Sequence, residues 1–233
     1  MAKLIVNDIE IELIKKNIKN IHLSVHPPNG RVRISAPKRM DDEAIRLFVI
    51  SKLSWIKKQR SKFVKQERQS EREFVSGESH YFLGERYLLN INYTNKRKQG
   101  VKIRNKTYID LFVREGSTKE QRQNVMKEWY RRELKALIPP LIEKWEQIIG
   151  VKVESWGVRL MKTRWGSCNT TAKRIWVNLA LAKKNPACLE YIIVHEMVHL
   201  LERLHNERFI SYMDKFLPNW RSIKSELNGL VFE

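Results

Sequence analysis

Cysteine is almost absent from this chain of 233 residues: only Cys168 and Cys188 are present. Two thiols cannot build a disulfide framework, so a small secreted scaffold is excluded, and both are expected to be buried and reduced. Neither sits in a CxxC pair, although a cysteine ligand to a second metal is the alternative. Long apolar runs are also missing. Nothing approaches the ~18 uncharged apolar residues of a membrane span. Near the N-terminus, Asp8, Glu10 and Glu12 interrupt the apolar positions and exclude the h-region of a signal peptide. These absences predict a cytoplasmic protein with no membrane partner. Internal repeats and low-complexity tracts are not evident either.

Acidic residues are under-represented: Lys and Arg number 45 against 26 Asp and Glu, a net charge of +19. Residues 1–150 carry 32 basic and 18 acidic side chains, residues 151–233 only 13 and 8. Such a surface is drawn to nucleic acid and other polyanions, or is simply a well-solvated lysine-rich face. The charges are scattered rather than blocked, which favours the solvated face. A nucleic-acid partner for the basic N-terminal region stays the alternative, with Trp55, Tyr81 and Tyr93 as stacking candidates.

The apolar residues that are present fall into patterns. Short alternating runs at Leu4–Val6, Ile9–Leu13, Ile21–Val25 and Val32–Ser35 predict strands, with a hairpin turn at Pro27-Pro28-Asn29-Gly30. Asp41 or Asp42 then caps one helix, expected to run through Trp55 toward Arg68 on the stripe Ile45, Phe48, Val49, Leu53, Ile56. Residues 79–113 return to strand character, with a basic turn from Asn95 to Gly100. Ser117, with Glu120 three residues on, predicts a capping box opening a helix that Pro139-Pro140 interrupt. Further strands are expected at Val151–Leu160 and Arg174–Leu179, with Arg164–Asn169 as a polar turn between them. Pro186 starts a helix through His199. The expected organisation is a β-rich module with a long helix over 1–115, linking helices over 116–150, and a catalytic domain over 151–233. The fold class is α+β.

The strongest chemical signal is His195-Glu196-Met197-Val198-His199, an H-E-x-x-H motif inside an apolar helix. Residues i and i+4 project from one helix face, so both imidazoles can reach one ion. Zinc accepts neutral imidazole nitrogens at about 2.0–2.1 Å. Glu196, one position on, can act as general base on an activated water without binding the metal. A chance match in a chain of this length is on the order of 1% at average residue usage. Two histidines and a glutamate in an apolar helix would also be costly without a purpose. Catalytic zinc usually takes three protein ligands. His205 is the leading third, provided the helix ends or bends between Leu201 and Leu204; Glu207 and Glu226 are the alternatives.

Several pieces of the chain together resemble the YgjP-like zinc metallopeptidases, with a more distant likeness to SprT-type proteases. They are Gly30–Pro37, Lys52–Ile56, Arg164-Trp165-Gly166-Ser167-Cys168, Val194–Leu200, and His205 with Phe209. The resemblance implies a zincin-like catalytic domain, its active-site helix lying under a small sheet. It also implies one zinc ion held by His195, His199 and His205, with Glu196 as the catalytic residue and a polypeptide as the substrate. In such folds a sheet edge above the helix binds an extended peptide; residues 156–163 or 174–180 are expected to supply it. Arg164 then stands near the cleft as an oxyanion or carbonyl partner, with Tyr212 as a weaker candidate. The competing reading of 164–168 is a tight turn with Gly166 at positive φ and Trp165 in the core. Three functions compete: a zinc peptidase, a nucleic-acid-associated zinc protein or protease acting on DNA-bound proteins, and a zinc hydrolase of some other bond.

Overall fold

The computed structural model describes residues 2–26, 29–65, 72–95 and 99–229, in two compact units, Met1–Glu67 and Arg68–Glu233. Among the described residues the architecture is α+β, with eleven strands in three sheets and six α-helices. None of these helices is long and apolar enough to cross a membrane. The division falls near residue 67, ahead of the strands at 79–113 that the sequence reading joined to the first four. Those later strands share one apolar core with the C-terminal helices.

In the first unit, β1 (Ala2–Val6), β2 (Ile9–Lys16), β3 (His22–His26) and β4 (Arg31–Pro37) form one sheet in the order β1-β2-β4-β3. The central pair β2–β4 is parallel and the outer pairs are antiparallel. Ile9, Ile11 and Leu13 alternate inward with Val32, Ile34 and Ala36, as period-2 patterning requires. Asn7 and Asp8 turn the first hairpin at φ 45° and 61°, a left-handed pair that these two residue types tolerate. Of the expected turn at 27–30, Pro27 and Pro28 lie outside the described residues; β3 and β4 pair antiparallel on either side of it.

The expected single helix is two: α1 (Asp42–Ser51) and α2 (Leu53–Lys65). Asp41 caps the first by accepting from the Ala44 N–H at 2.6 Å. At Lys52 the N–H bonds the Val49 carbonyl three residues back, tightening the last turn and breaking the ladder. No proline or glycine marks that break. The expected extension to Arg68 lies outside the described residues.

The second unit opens with β5 (Ser79–Phe82), β6 (Glu85–Tyr93), β7 (Gly100–Arg104) and β8 (Tyr108–Val113) in the order β5-β6-β8-β7. Here too the central pair is parallel and the outer pairs antiparallel. Of the expected basic turn, residues 96–98 lie outside the described residues. The chain therefore repeats one topology: a two-residue hairpin, a second hairpin, a parallel central pair, then a helix. No repeat is visible in the sequence, because backbone pairing of this kind needs only alternation and turn residues, not particular side chains.

Next comes α3 (Lys119–Ile149), an unbroken helix of 31 residues. Its cap is Thr118 rather than Ser117, in a capping box completed by Gln121 rather than Glu120. Pro139 and Pro140 lie inside it instead of ending it. An interior proline costs about 3 kcal/mol. The offset is the stripe Leu134, Ile138, Ile142, Trp145 and Ile149, which stays in phase across both prolines and is buried throughout. Gly150, at φ 77°, ends the helix.

The rest of the chain forms a small sheet and a helix cluster. β9 (Ser155–Arg159), β10 (Gly166–Asn169) and β11 (Arg174–Asn178) lie in the order β10-β11-β9. A 3-10 turn at Leu179–Lys183 leads into α4 (Pro186–Val198), followed by α5 (Glu207–Phe216) and α6 (Trp220–Gly229). Helix α4 is apolar on nearly every side because it packs against α3, β10, β11, α5 and α6. Both cysteines are free, Cys188 buried and Cys168 half-buried.

The β5–β6 hairpin bears on the base of α4. Gly84 sits at φ +88°, and a Cβ there would lie 3.1 Å from Cα and 3.2 Å from N of Asn185, the residue that caps α4. Gly84→Ala is expected to lower stability by about 1–3 kcal/mol through the left-handed backbone and this backbone clash, read as a lower Tm in thermal unfolding.

Candidate metal centre

Helix α4 presents His195 and Glu196 from its last turn, and His199 forms its cap with the helical dihedrals φ −62° and ψ −18°. The helix ends at Val198, three residues earlier than the sequence reading required. Leu200 and Leu201 then bond three residues back, to Met197 and Val198, in a tight non-helical turn. Asn206 caps α5 by accepting from the Phe209 N–H at 3.0 Å. Between these two caps the chain reverses and carries His205 back over α4.

The three imidazoles converge. Their ligand nitrogens all lie within 4.8 Å of one another, and Nε2 of His205 is 3.1 Å from Nε2 of His195. Ring centroids are 5.0 Å apart for His195–His199 and His195–His205, and 4.7 Å for His199–His205. Phe209, buried on α5, touches all three rings at 4.7–5.0 Å and backs the cluster from below. Nδ1 of His199 is 3.1 Å from the Glu202 carbonyl. An N–H donated there leaves the Nε2 lone pair free to point at an ion. Glu207 and Glu226, the alternative third ligands, do not join the cluster.

Burial holds His195 down to about 3, with the His199 and His205 charges adding to the effect; burial likewise lowers His199. Both rings are therefore neutral donors at ordinary pH. Neutral imidazoles facing one another cannot all be satisfied mutually, since each nitrogen pair needs one proton between two lone pairs. Among the described residues no carboxylate joins the cluster, and Nδ1 of His195 is buried with no hydrogen-bond partner. A dication that accepts one lone pair from each ring relieves the crowding of the facing nitrogens, and the all-imidazole donor set suits zinc.

Glu196 is 5% exposed, and burial pushes its carboxyl up to about 8 while the Arg164 charge pulls it down. Its seat is made by Gly166. A Cβ on Gly166 would lie 2.5 Å from Glu196 Oε1, 2.8 Å from its Cγ and 2.8 Å from Ile192 Cγ2. Residues 166–169 are a strand, not the expected turn, and Gly166 does not have positive φ. Its glycine is required by the close approach of the glutamate. Trp165 is half-buried, with Nε1 3.3 Å from Asn228 Oδ1.

The cleft above these groups has a volume of about 850 Å³. Strand β10 lines it and is the edge of its sheet, with β11 on its inner side. Of the two segments expected to offer that edge, 174–180 is paired on both sides and 156–163 lies at the far edge. Asn178 holds the preceding loop in place. Its Nδ2 donates to the carbonyls of Met161 at 2.9 Å and Arg164 at 2.7 Å, and its N–H donates to that of Trp165. Arg164 lines the cleft; Tyr212 does not. The Tyr212 hydroxyl accepts from Nε and Nη2 of Arg208, each at 3.3 Å, and its ring stacks on Phe216.

Tyr191, Arg203 and Lys224 also line the cleft and were not found from the sequence. Tyr191, one turn before His195 on α4, had a signal in its i, i+4 spacing; the other two had none. Of the proposed stacking aromatics, Trp55 and Tyr93 are exposed and Tyr81 is half-buried.

Residues 19–230 match the family described as YgjP-like, metallopeptidase domain. Comparison with curated proteins gives no match. A solved structure, the metallopeptidase zymogen of Pyrococcus abyssi abylysin, aligns at 20% identity and a TM-score of 0.36, over 38% of this chain and 89% of that one.

Metal analysis tests the cluster directly. The wild type is expected to bind about one zinc per chain, and His195→Ala, His199→Ala and His205→Ala each to lose it. Retention of stoichiometric zinc by His205→Ala would place the third ligand elsewhere.

Proposed function

The chain belongs to the YgjP-like metallopeptidase family, and on that premise we propose that it is a zinc-dependent peptidase with Glu196 as its proton-transfer group. The observation that carries this reading is the convergence of three imidazoles beside a buried glutamate at one end of an open cleft. His195, His199 and His205 would hold the zinc. When bound, it would supply Lewis acidity that polarises the scissile carbonyl and makes a water nucleophilic near neutral pH.

The protein's own groups do the rest. Glu196 takes the proton from the attacking water and delivers it to the departing amine, which balances one peptide bond broken against one water consumed. Burial outweighs the Arg164 charge and pushes that carboxyl up to about 8; a dication at the histidines would favour its charged form. Gly166 lets the carboxyl lie against the β10 backbone, so its rotamer is fixed by packing. The edge of β10 suits an extended polypeptide bound by strand addition, since among the described residues β11 is the one strand paired with it and β10 lines the cleft. Arg164, held by Asn178 through its carbonyl, is the cation best placed to meet a substrate carbonyl oxygen.

Glu196→Gln preserves size and removes the base. It is expected to keep about one zinc and to lose about 10²-fold or more in kcat for peptide cleavage. A variant with wild-type turnover would sink the role of Glu196. Gly166→Ala is expected to lower kcat by driving the carboxyl out of its seat, with zinc content unchanged.

A further inference from the structure

Three cationic side chains face the cleft: Arg164, Arg203 and Lys224. They come from separate places, the loop before β10, the turn between α4 and α5, and helix α6. Among the described residues Glu196 is the only acidic one lining the cleft, and it is buried. Lys224 lies close enough to His195, and Arg164 to Glu196, for each charge to be felt there. Cations therefore flank the candidate metal centre.

Elsewhere in this unit basic side chains are commonly paired. Lys144 is paired with Glu190, Lys152 with Glu146, and Arg221, on the same helix as Lys224, with Asp214. Among the described residues none of Arg164, Arg203 and Lys224 has a carboxylate within ion-pair distance. Like charges converging on one cleft repel one another. A dication at the histidines adds to the positive field. An anionic ligand would relieve both.

We propose that the cleft selects polypeptide segments carrying Asp or Glu side chains close to the scissile bond, with Arg203, Lys224 and Arg164 pairing with them. This rests on the peptidase reading above. The ligand is polypeptide rather than a free phosphate compound because the cations are spread along a cleft with an open strand edge. They also come from three separate segments of the chain, whereas a phosphate site usually draws on one loop or helix N-terminus. A strand paired with β10 presents alternate side chains to each face of the sheet, which lets acidic residues at neighbouring positions reach different cations.

The test separates recognition from turnover. Zinc-loaded Glu196→Gln is titrated with fluorescent peptides that differ only in three central positions, occupied by Glu, Gln or Lys, at about 50 and 300 mM salt. An exposed ion pair is worth about 2–5-fold in affinity. The Glu peptide is therefore expected to bind about tenfold more tightly than the Gln peptide at low salt, with the Lys peptide weakest and the difference shrinking at high salt. Lys224→Glu and Arg203→Glu should each cut the Glu/Gln ratio several-fold. Equal affinities for the three peptides would overturn the proposal. So would displacement of the Glu peptide by a nucleoside triphosphate at far lower concentration than by unlabelled peptide, since that would assign the cations to phosphate. Wild-type cleavage of the same peptides keeps the two readings apart. Cleavage without charge preference in the binding series sinks only the selectivity. Charge-selective binding without cleavage sinks only the peptidase chemistry.

Discussion

Three imidazoles pressed together, their ligand nitrogens within 4.8 Å of one another, are the constraint on which the site is built. They approach only because the chain abandons the helix at Val198, turns through Leu200–Leu204, and starts again at the Asn206 cap. A helix continuing for two more turns would carry His205 about 9 Å onward and away to another face. The turn is held by hydrogen bonds of its own: the Leu200 and Leu201 amides, the His199 ring to the Glu202 carbonyl, and the Leu204 amide to the Glu202 carboxylate. Phe209 then closes the cluster against α5. The donor atoms are thus oriented by backbone and packing, which reduces the reorganisation that metal binding requires.

The same economy governs Glu196. A buried carboxylate is costly unless something nearby favours its charge. Here Arg164 is the nearby charge that favours the ionised form. The strand overhead comes so close that only glycine fits at 166. One residue therefore links the substrate-facing edge to the proton-transfer group, and a shift in β10 would be felt at both. Asn178 anchors the loop that feeds this strand: its side-chain NH2 and backbone N–H donate to loop carbonyls, and its side-chain oxygen accepts from the Met161 N–H.

Behind the site, α3 acts as the spine of the second unit. Its apolar stripe runs beneath the 79–113 sheet, the small sheet and α4, so one core serves all three. The four-stranded topology that precedes it recurs in the first unit on a smaller apolar core, with Ile11, Ile34, Ile45, Val49 and Ile56 fully enclosed. The shared pattern is one of hydrogen-bond register and turn placement. The side chains differ, and only the second copy is followed by the elements that carry the candidate site.

Much of the local structure was legible in the sequence because it depends on neighbours in the chain. Alternation marked the strands, Asp41 and Asp42 marked a helix start to within one residue, and the i, i+4 spacing put His195 and His199 on one helix face. Other features turned on contacts far away in sequence. The proline pair in α3 is carried by burial of residues on both sides. The glycine at 166 answers a glutamate thirty positions later, so what reads as a turn is a strand. Arg203 and Lys224 look like any solvated cation until the fold brings them to the same cleft as Arg164. Sequence periodicity determined which residues share an element's face. Only tertiary packing decided which faces meet, because that depends on distances between segments that no local pattern records.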